Sequence, residues 1–101
     1  MNRTDTIERY FALAAADDVE AFLAQFADDA EVVDDGHAIP DLRAWRRDVP
    51  AVTYTLDRVE SDVPAADVVV AGDFPGSPVP LRFTFGLDGD GRIARLEIAP
   101  R

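Results

Sequence analysis

Two groups of apolar residues recur at helical spacing in the first quarter of the chain. The first group is Ile7, Tyr10, Phe11 and Ala14, and the second is Val19, Phe22, Leu23 and Phe26. The first spacing predicts a helix over residues 6–16 that Asp5 caps, with Glu8 as the partner in a capping box. The second spacing predicts another short helix that begins at Asp17, so that two helices meet at an acidic break.

The apolar pattern changes to a period of two from Ala30 onward, which predicts a short strand after the helices. Val32 and Asp34 share one face of this strand, and Gly36 is expected to end it. Residues 37–39 are then expected to form a loop.

A third, short helix is predicted between this loop and the second half of the chain. Pro40 suits its first turn, and Pro50 is expected to stop it. Leu42, Trp45 and Val49 recur at helical spacing and are expected to face inward.

Four strand-like runs follow. They cover residues 52–63, 67–74, 79–87 and 92–99. In the first run the apolar phase slips between Leu56 and Val59, which predicts a β-bulge. The third run alternates most regularly, and the Asp-Gly-Asp-Gly segment at residues 88–91 predicts a hairpin turn to the last strand.

Helices first and strands afterwards indicate an α+β fold, in which about three helices pack on the concave side of a cone-shaped, mixed or antiparallel sheet. The length of 101 residues suits a single domain over residues 1–101. The space between the helices and the concave face is a natural pocket. The side chains expected to line it are Val32, Trp45, Phe74, Phe83 and Phe85.

The charge of the chain excludes several classes of partner. Twenty acidic and ten basic residues give a formal charge of −10, which opposes binding to nucleic acids and to anionic membranes. No apolar run approaches the ~20 residues of a membrane span, and the N-terminus lacks the pattern of a signal peptide. Cysteine is absent, which suits the cytoplasm. We therefore expect a cytoplasmic protein.

Three segments resemble a known family. They are Phe-Ala-Asp-Asp-Ala-x-Val-x-Asp at Phe26–Asp34, Leu-Arg-Ala-Trp at residues 42–45, and Asp-Gly-Arg-Ile at residues 90–93. Together with the order of elements, they resemble the nuclear transport factor 2-like superfamily, and within it the SnoaL-like polyketide cyclases and ketosteroid isomerase. The resemblance spans nearly the whole chain, and this superfold carries cyclases, isomerases, dehydratases and many proteins that are not enzymes.

The resemblance implies roles for three positions. Asp34 matches the aspartate that ketosteroid isomerases use as a general base, and Tyr10 matches the tyrosine that donates to the oxyanion. Phe83 stands where those isomerases keep a second, protonated aspartate, so this chain departs from their pattern. The resemblance also implies a pocket wall shortened between Asp35 and Pro40, and a homodimer formed through the outer face of the sheet.

Each candidate also has a structural interpretation. Chemistry next to a carbonyl needs a partly desolvated base, which a strand-end carboxylate in an apolar cone supplies. Asp34 could instead cap the turn at Gly36 or pair with an arginine such as Arg46. Tyr10 could be a core aromatic residue whose hydroxyl finds any acceptor.

His37, the single histidine, could act as an acid, a base or one metal ligand, but a surface-loop residue is the simpler interpretation. Without a second nitrogen or a thiolate it makes a poor metal site, so we expect no metal. The Asp-Gly-Asp-Gly segment lacks the other ligands of a calcium loop and is expected to be a turn.

Two functions remain open from the sequence. The first is a SnoaL-like domain that binds a small hydrophobic or carbonyl-bearing metabolite, with Asp34 as acid or base, Tyr10 assisting and no cofactor. The second is a module without catalytic activity that binds a ligand or forms a homodimer through its sheet. The shortened wall and Phe83 favour the second, whereas Asp34 and Tyr10 on one cavity would favour the first.

Overall fold

A computed structural model of the chain describes residues 2–49 and 51–101. Its three helices are α1 (Arg3–Ala15), α2 (Val19–Leu23) and α3 (Leu42–Asp48). Its six strands are β1 (Phe26–Asp34), β2 (His37–Ala38), β3 (Val52–Glu60), β4 (Ala65–Gly72), β5 (Val79–Leu87) and β6 (Ile93–Pro100). Pro50, which was expected to stop the third helix, lies outside the described residues.

The three helices were predicted, but their caps differ from those expected. Asn2 rather than Asp5 caps α1, because its side chain accepts a hydrogen bond from the backbone N–H of Asp5. Asp18 rather than Asp17 caps α2 in the same way. Asp41 caps α3, so the helix starts after Pro40. No helix within residues 2–49 and 51–101 is long and apolar enough to cross a membrane.

The strand after α2 begins at Phe26, four residues earlier than the period-two pattern predicts. The reason is a parallel pairing of β1 with β6, in which Phe26 lies opposite Ile93 before the register becomes irregular and resumes at Glu31. A second difference follows at the other end of β1. The expected loop at residues 37–39 contains β2, which folds back on β1 and pairs antiparallel with it.

The six strands form one mixed sheet in the order β2-β1-β6-β5-β4-β3. Only the β1–β6 pair is parallel, and the other neighbours are antiparallel. The predicted bulge is present in β3, where the register with β4 shifts between Leu56 and Arg58. Beyond the bulge Val59 returns to the same face as Leu56, as the phase slip in the sequence indicates.

The core lies between the helices and one face of the sheet. That face carries Val32, Phe83, Phe85, Leu96 and Ile98, all of them buried. From α1, Phe11 contacts Tyr54 on β3 with ring centroids 5.3 Å apart. The predicted fold class is confirmed, because three helices from the first half of the chain pack on the concave side of a curled sheet that does not close into a barrel.

Candidate functional site

A cavity of about 530 Å³ lies between the helices and the concave face of the sheet. Its walls are mostly apolar and include Trp45, Phe74, Leu81, Phe83 and Ile98. Its polar side chains are Tyr10, Asp17, Asp34, Arg46, Arg47 and Tyr54. A small molecule with an apolar body and a few polar groups matches such a lining.

Asp34 is half-buried at the end of β1 and lines this cavity. Its Oδ2 accepts a hydrogen bond of 3.2 Å from Nε1 of Trp45 on α3. The structure differs from the two structural interpretations of Asp34, a cap on the turn at Gly36 and an ion pair with Arg46. Among the described residues, the Asp34 carboxylate neither caps the turn at Gly36 nor forms an ion pair with Arg46, whose guanidinium reaches Ala16 instead.

The position of Asp34 follows from the register of β1 with β6. Val32 lies opposite Leu96, and two residues later Asp34 lies opposite Ile98, so alternation places both side chains on the concave face. The chain then leaves the sheet through Asp35 and Gly36, which have φ values of 52° and 80°. Aspartate and glycine are among the residues that adopt this left-handed conformation most readily. Asp34 is therefore the last side chain of β1 that points into the cavity.

Tyr10 lies on α1 with its side chain only 2% exposed, and it also lines the cavity. Its ring packs edge-on against Phe11 and Phe85, with centroids 5.0 and 5.3 Å away. Burial, followed by the nearby Tyr54 and Asp34, raises the pKa of Tyr10 well above its ordinary value. The hydroxyl therefore stays protonated at neutral pH and can donate a hydrogen bond.

Tyr54 on β3 brings a second hydroxyl to the cavity, which the sequence analysis did not single out. Burial is the main cause that raises the pKa of Tyr54, so this hydroxyl also keeps its proton at neutral pH. The alternation of Val52, Tyr54 and Leu56 along a half-buried strand was a usable signal, because it places all three side chains on one face.

From the sequence, Arg46 on α3 was expected only as a possible ion-pair partner of Asp34. In the structure its side chain lines the cavity. Leu42 and Arg46 are four residues apart and therefore share a face of α3. That spacing could have identified Arg46 as facing the same way as the inward residues of the helix.

The remaining predicted lining residues divide into two sets. Trp45, Phe74 and Phe83 line the cavity. Val32 and Phe85, 2% and 3% exposed, lie in the packed core outside the cavity lining, so their placement differs from the expectation. The reason is the helix layer, because Phe85 is covered by Tyr10 and Phe11 of α1.

Phe83, which the resemblance places where ketosteroid isomerases keep a second acid, is 3% exposed. Its ring packs against Phe11 and Tyr10, with centroids 4.9 and 6.0 Å away. This position offers no proton donor to the cavity.

His37 is exposed on β2, and its Nδ1 lies 3.0 Å from the backbone oxygen of Asp35. It is not part of the cavity lining. Across residues 2–49 and 51–101, no three side chains of histidine, aspartate or glutamate group in a way that could hold a metal ion. At residues 88–91 the Asp88 side chain accepts hydrogen bonds from the backbone of Asp90 and Arg92, as in a turn.

No protein-family model and no curated protein matches the chain. Among solved structures, a protein from Sinorhizobium meliloti described as a "putative polyketide cyclase" is 37% identical, with a TM-score of 0.75 over 93% of each chain. A protein from Sphaerobacter thermophilus is 22% identical, with a TM-score of 0.81 over 100% of this chain and 97% of the other. Nuclear transport factor 2 from Cryptosporidium parvum is 13% identical, with a TM-score of 0.80 over 98% and 91%. The last two show the fold alone.

Proposed function

Because the chain belongs to the SnoaL-like branch of the nuclear transport factor 2-like superfamily, we propose that its cavity binds a small hydrophobic or carbonyl-bearing metabolite and moves a proton on it. Asp34 is the proposed acid or base, and Tyr10 is the proposed hydrogen-bond donor. The observation that carries the proposal is their presence on one cavity whose other walls are mainly apolar.

The cavity has a suitable size for this function. Its volume of about 530 Å³ falls within the range of roughly 300–1,000 Å³ that small-molecule sites occupy. Phe74, Leu81 and Ile98 can cover the apolar part of a ligand. The chain therefore offers burial to the carbon skeleton and polar contacts at a few points.

The proposed reaction begins with a proton on a carbon next to the ligand carbonyl. A carboxylate oxygen of Asp34 takes this proton, and the electron pair of the C–H bond moves to the carbonyl oxygen, which gives an enolate. Return of the proton to another carbon completes an isomerisation, and attack of the enolate carbon on a second carbonyl would close a ring. Trp45 supports this role because its hydrogen bond to Oδ2 orients the carboxylate.

The enolate oxygen needs a donor, and Tyr10 is the first candidate. A buried hydroxyl that stays protonated stabilises charge that develops in a site with little water. Ketosteroid isomerases have a protonated aspartate as the second donor, and the resemblance places Phe83 at that position. Tyr54 is therefore the candidate for the second donor in this chain.

Hydrogen–deuterium exchange of 2-tetralone tests the proposal. This ketone has an apolar body and exchangeable protons next to its carbonyl, and proton NMR in D₂O follows their loss. The protein should accelerate exchange above the buffer rate, and Asp34→Asn should lower the acceleration by about 100-fold or more, as expected when a general base is lost.

Asp35→Asn is the matched control. This neighbouring carboxylate is exposed and lies outside the cavity lining, and asparagine tolerates its left-handed backbone. Exchange that proceeds equally in both variants would exclude Asp34 as the base. Binding of 2-tetralone without any acceleration would instead support a ligand-binding module that has no catalytic activity.

A homodimer through the outer face of the sheet is the second proposal, and the composition of that face favours it. Val33 and Val69 are half-buried there. Two groups of charged side chains around them are paired, Arg95 with Glu31 and Arg82 with Glu60 and Asp67. Glu97 lies opposite Val33 on the same face, is exposed and has no ion-pair partner among residues 2–49 and 51–101, so a second copy would have to leave Glu97 in water or supply a cation for it. Light scattering tests this proposal, and a monomeric mass across the accessible concentration range would exclude it.

A further inference from the structure

The Arg46 side chain crosses from α3 to the end of α1. One of its Nη atoms donates a hydrogen bond to the backbone oxygen of Ala16, and its guanidinium carbon lies 5.3 Å from the centre of the Phe22 ring. The side chain is half-buried and lines the cavity. A cation is therefore held in an apolar setting by one hydrogen bond and one aromatic face.

The charge of Arg46 is not balanced by an acidic partner within residues 2–49 and 51–101. Six other arginines of this part of the chain form ion pairs: Arg43, Arg47, Arg58, Arg82, Arg95 and Arg101. These pairs lie mostly at the exposed surface, where an ion pair contributes little. The other arginines without an ion pair among the described residues, Arg3, Arg9 and Arg92, are exposed, whereas Arg46 is half-buried, so a missing partner matters more there.

A purely structural role accounts for only part of the guanidinium. The bond to Ala16 satisfies a carbonyl at the end of α1, where helices favour a nearby cation. The Nε atom, however, is buried with no hydrogen-bond partner among the described residues. Unpartnered buried donors are rare in folded proteins, and the Nη N–H groups that Ala16 does not use are also left for a further acceptor.

We propose that the ligand of this cavity carries a carboxylate, which the Arg46 guanidinium binds. The proposal rests on the proposed function, because it assigns a ligand class to the same cavity. Guanidinium and carboxylate match in shape and charge, and the resulting hydrogen bonds are stronger than those between neutral groups.

The other charges around the cavity make Arg46 the main group that can attract a carboxylate. The whole chain carries a formal charge of −10, and Asp17 and Asp34 line the same cavity. The second cation of the lining, Arg47, is exposed and pairs with Asp48. An anionic ligand is therefore attracted into the cavity chiefly by Arg46, against the negative charges of Asp17 and Asp34.

Two probes of nearly equal shape test the charge preference on the unmodified protein. The probe 2-naphthoate carries an ionised carboxylate at neutral pH, and 2-acetonaphthone carries a methyl ketone in its place. Isothermal titration should show tighter binding of 2-naphthoate, by about tenfold for a charge-assisted hydrogen bond. Added salt should reduce the difference.

The Arg46→Met variant should lose this preference, because it keeps a long apolar side chain and removes the charge. Arg46→Lys should retain part of it. Arg43→Met is the matched control on the same helix, since Arg43 is exposed, pairs with Glu20 and lies outside the cavity lining. If Arg46→Met does not fold, the Nε–Hε resonance of Arg46 in the unmodified protein gives the same answer, because it should shift with 2-naphthoate and far less with 2-acetonaphthone.

The outcomes separate this inference from the function on which it rests. Equal binding of both probes, or a preference that survives in Arg46→Met, overturns the inference and leaves the cavity as a site for neutral ligands. Failure of both probes to bind overturns the proposed function together with the inference. A preference for 2-naphthoate that disappears only in Arg46→Met supports both.

Discussion

The indole Nε1 of Trp45 donates a hydrogen bond to Oδ2 of Asp34 over 3.2 Å, and this contact ties α3 to the end of β1. The two residues are eleven positions apart, with a turn and β2 between them. Both residues line the cavity, and the hydrogen bond orients the Asp34 carboxylate there. Asp34 is therefore held by a neutral donor and keeps its negative charge available to a ligand.

A double-mutant cycle should detect this contact as a coupling free energy. Trp45→Phe and Asp34→Ala each remove one partner, and the combined variant should be more stable than the sum of the two losses predicts. Because the acceptor is charged, we expect a coupling of about 1 kcal/mol in the free energy of unfolding, measured with urea.

Asp35→Asn combined with Trp45→Phe provides the control cycle, since Asp35 is exposed and lies outside the cavity lining. Its coupling should stay below about 0.5 kcal/mol. Equal coupling in the two cycles would mean that Trp45 interacts with the negative charge of the turn as a whole, and not specifically with the Asp34 carboxylate.

Tyr10→Phe should separate the structural and functional parts of Tyr10. The ring fills the aromatic core, and phenylalanine preserves it. Within the described part of the chain the hydroxyl has no hydrogen-bond partner, so its loss should change the free energy of unfolding by less than about 1 kcal/mol. Exchange of 2-tetralone should fall by about tenfold or more, since an oxyanion donor is removed.

Tyr54→Phe is the companion variant for this comparison. A smaller loss of exchange than in Tyr10→Phe identifies Tyr10 as the main donor. The assignment of Tyr10 is wrong if its variant exchanges 2-tetralone at the unmodified rate while remaining folded by circular dichroism.

The two tyrosines should make the protein lose stability at alkaline pH. Burial raises the pKa of Tyr10 and of Tyr54 above the ordinary value of 10.0. Between pH 10.0 and the raised values, the folded chain keeps protons that the unfolded chain releases, so the free energy of unfolding falls as pH rises. In this window each tyrosine lowers the free energy of unfolding by up to about 1.4 kcal/mol per pH unit. Below the window the folded and the unfolded chain both keep the proton, so none of this stability is lost.

Absorbance of tyrosinate near the red edge of the protein spectrum measures this directly. Tyr10 and Tyr54 are the two tyrosines of the chain, so the signal has no other source of that kind. We expect no tyrosinate below the alkaline unfolding transition. Appearance of tyrosinate at the pH of free tyrosine, in a protein that is still folded, would contradict the burial of both rings.

Phe83→Asp should not create a ketosteroid isomerase site. Phe83 is 3% exposed and packs between aromatic rings, so the substitution removes a large apolar side chain and buries a carboxyl group without a partner. We expect a loss of about 4 kcal/mol or more in the free energy of unfolding. Phe83→Leu is the control and should cost far less, because it keeps the position apolar.

Chemical denaturation of both variants tests this prediction. A Phe83→Asp protein as stable as Phe83→Leu would mean that the position can accept a second acid. Packing around residue 83 would then not explain why this chain has phenylalanine and not an acid at that position.

The sequence predicted local elements well where the hydrophobic period was regular. The strand at residues 79–87 matches β5, and the phase slip in the preceding run matches the bulge in β3. Helix starts were less accurate, because several neighbouring residues could serve as caps. Asn2 and Asp18 were selected over Asp5 and Asp17 by the path of the chain into each helix.

The sequence by itself determined the α+β class, the strand phases and the direction of Asp34, because periodicity and turn residues act over a few neighbouring positions. Only the tertiary structure decided where β1 starts and that β2 exists, since both depend on pairing with distant or returning backbone. It also decided that Trp45 binds Asp34, that Val32 and Phe85 lie in the core, and that Arg46 and Tyr54 face the cavity. These relations arise from packing of helices against a curved sheet, which brings together residues that no local pattern connects.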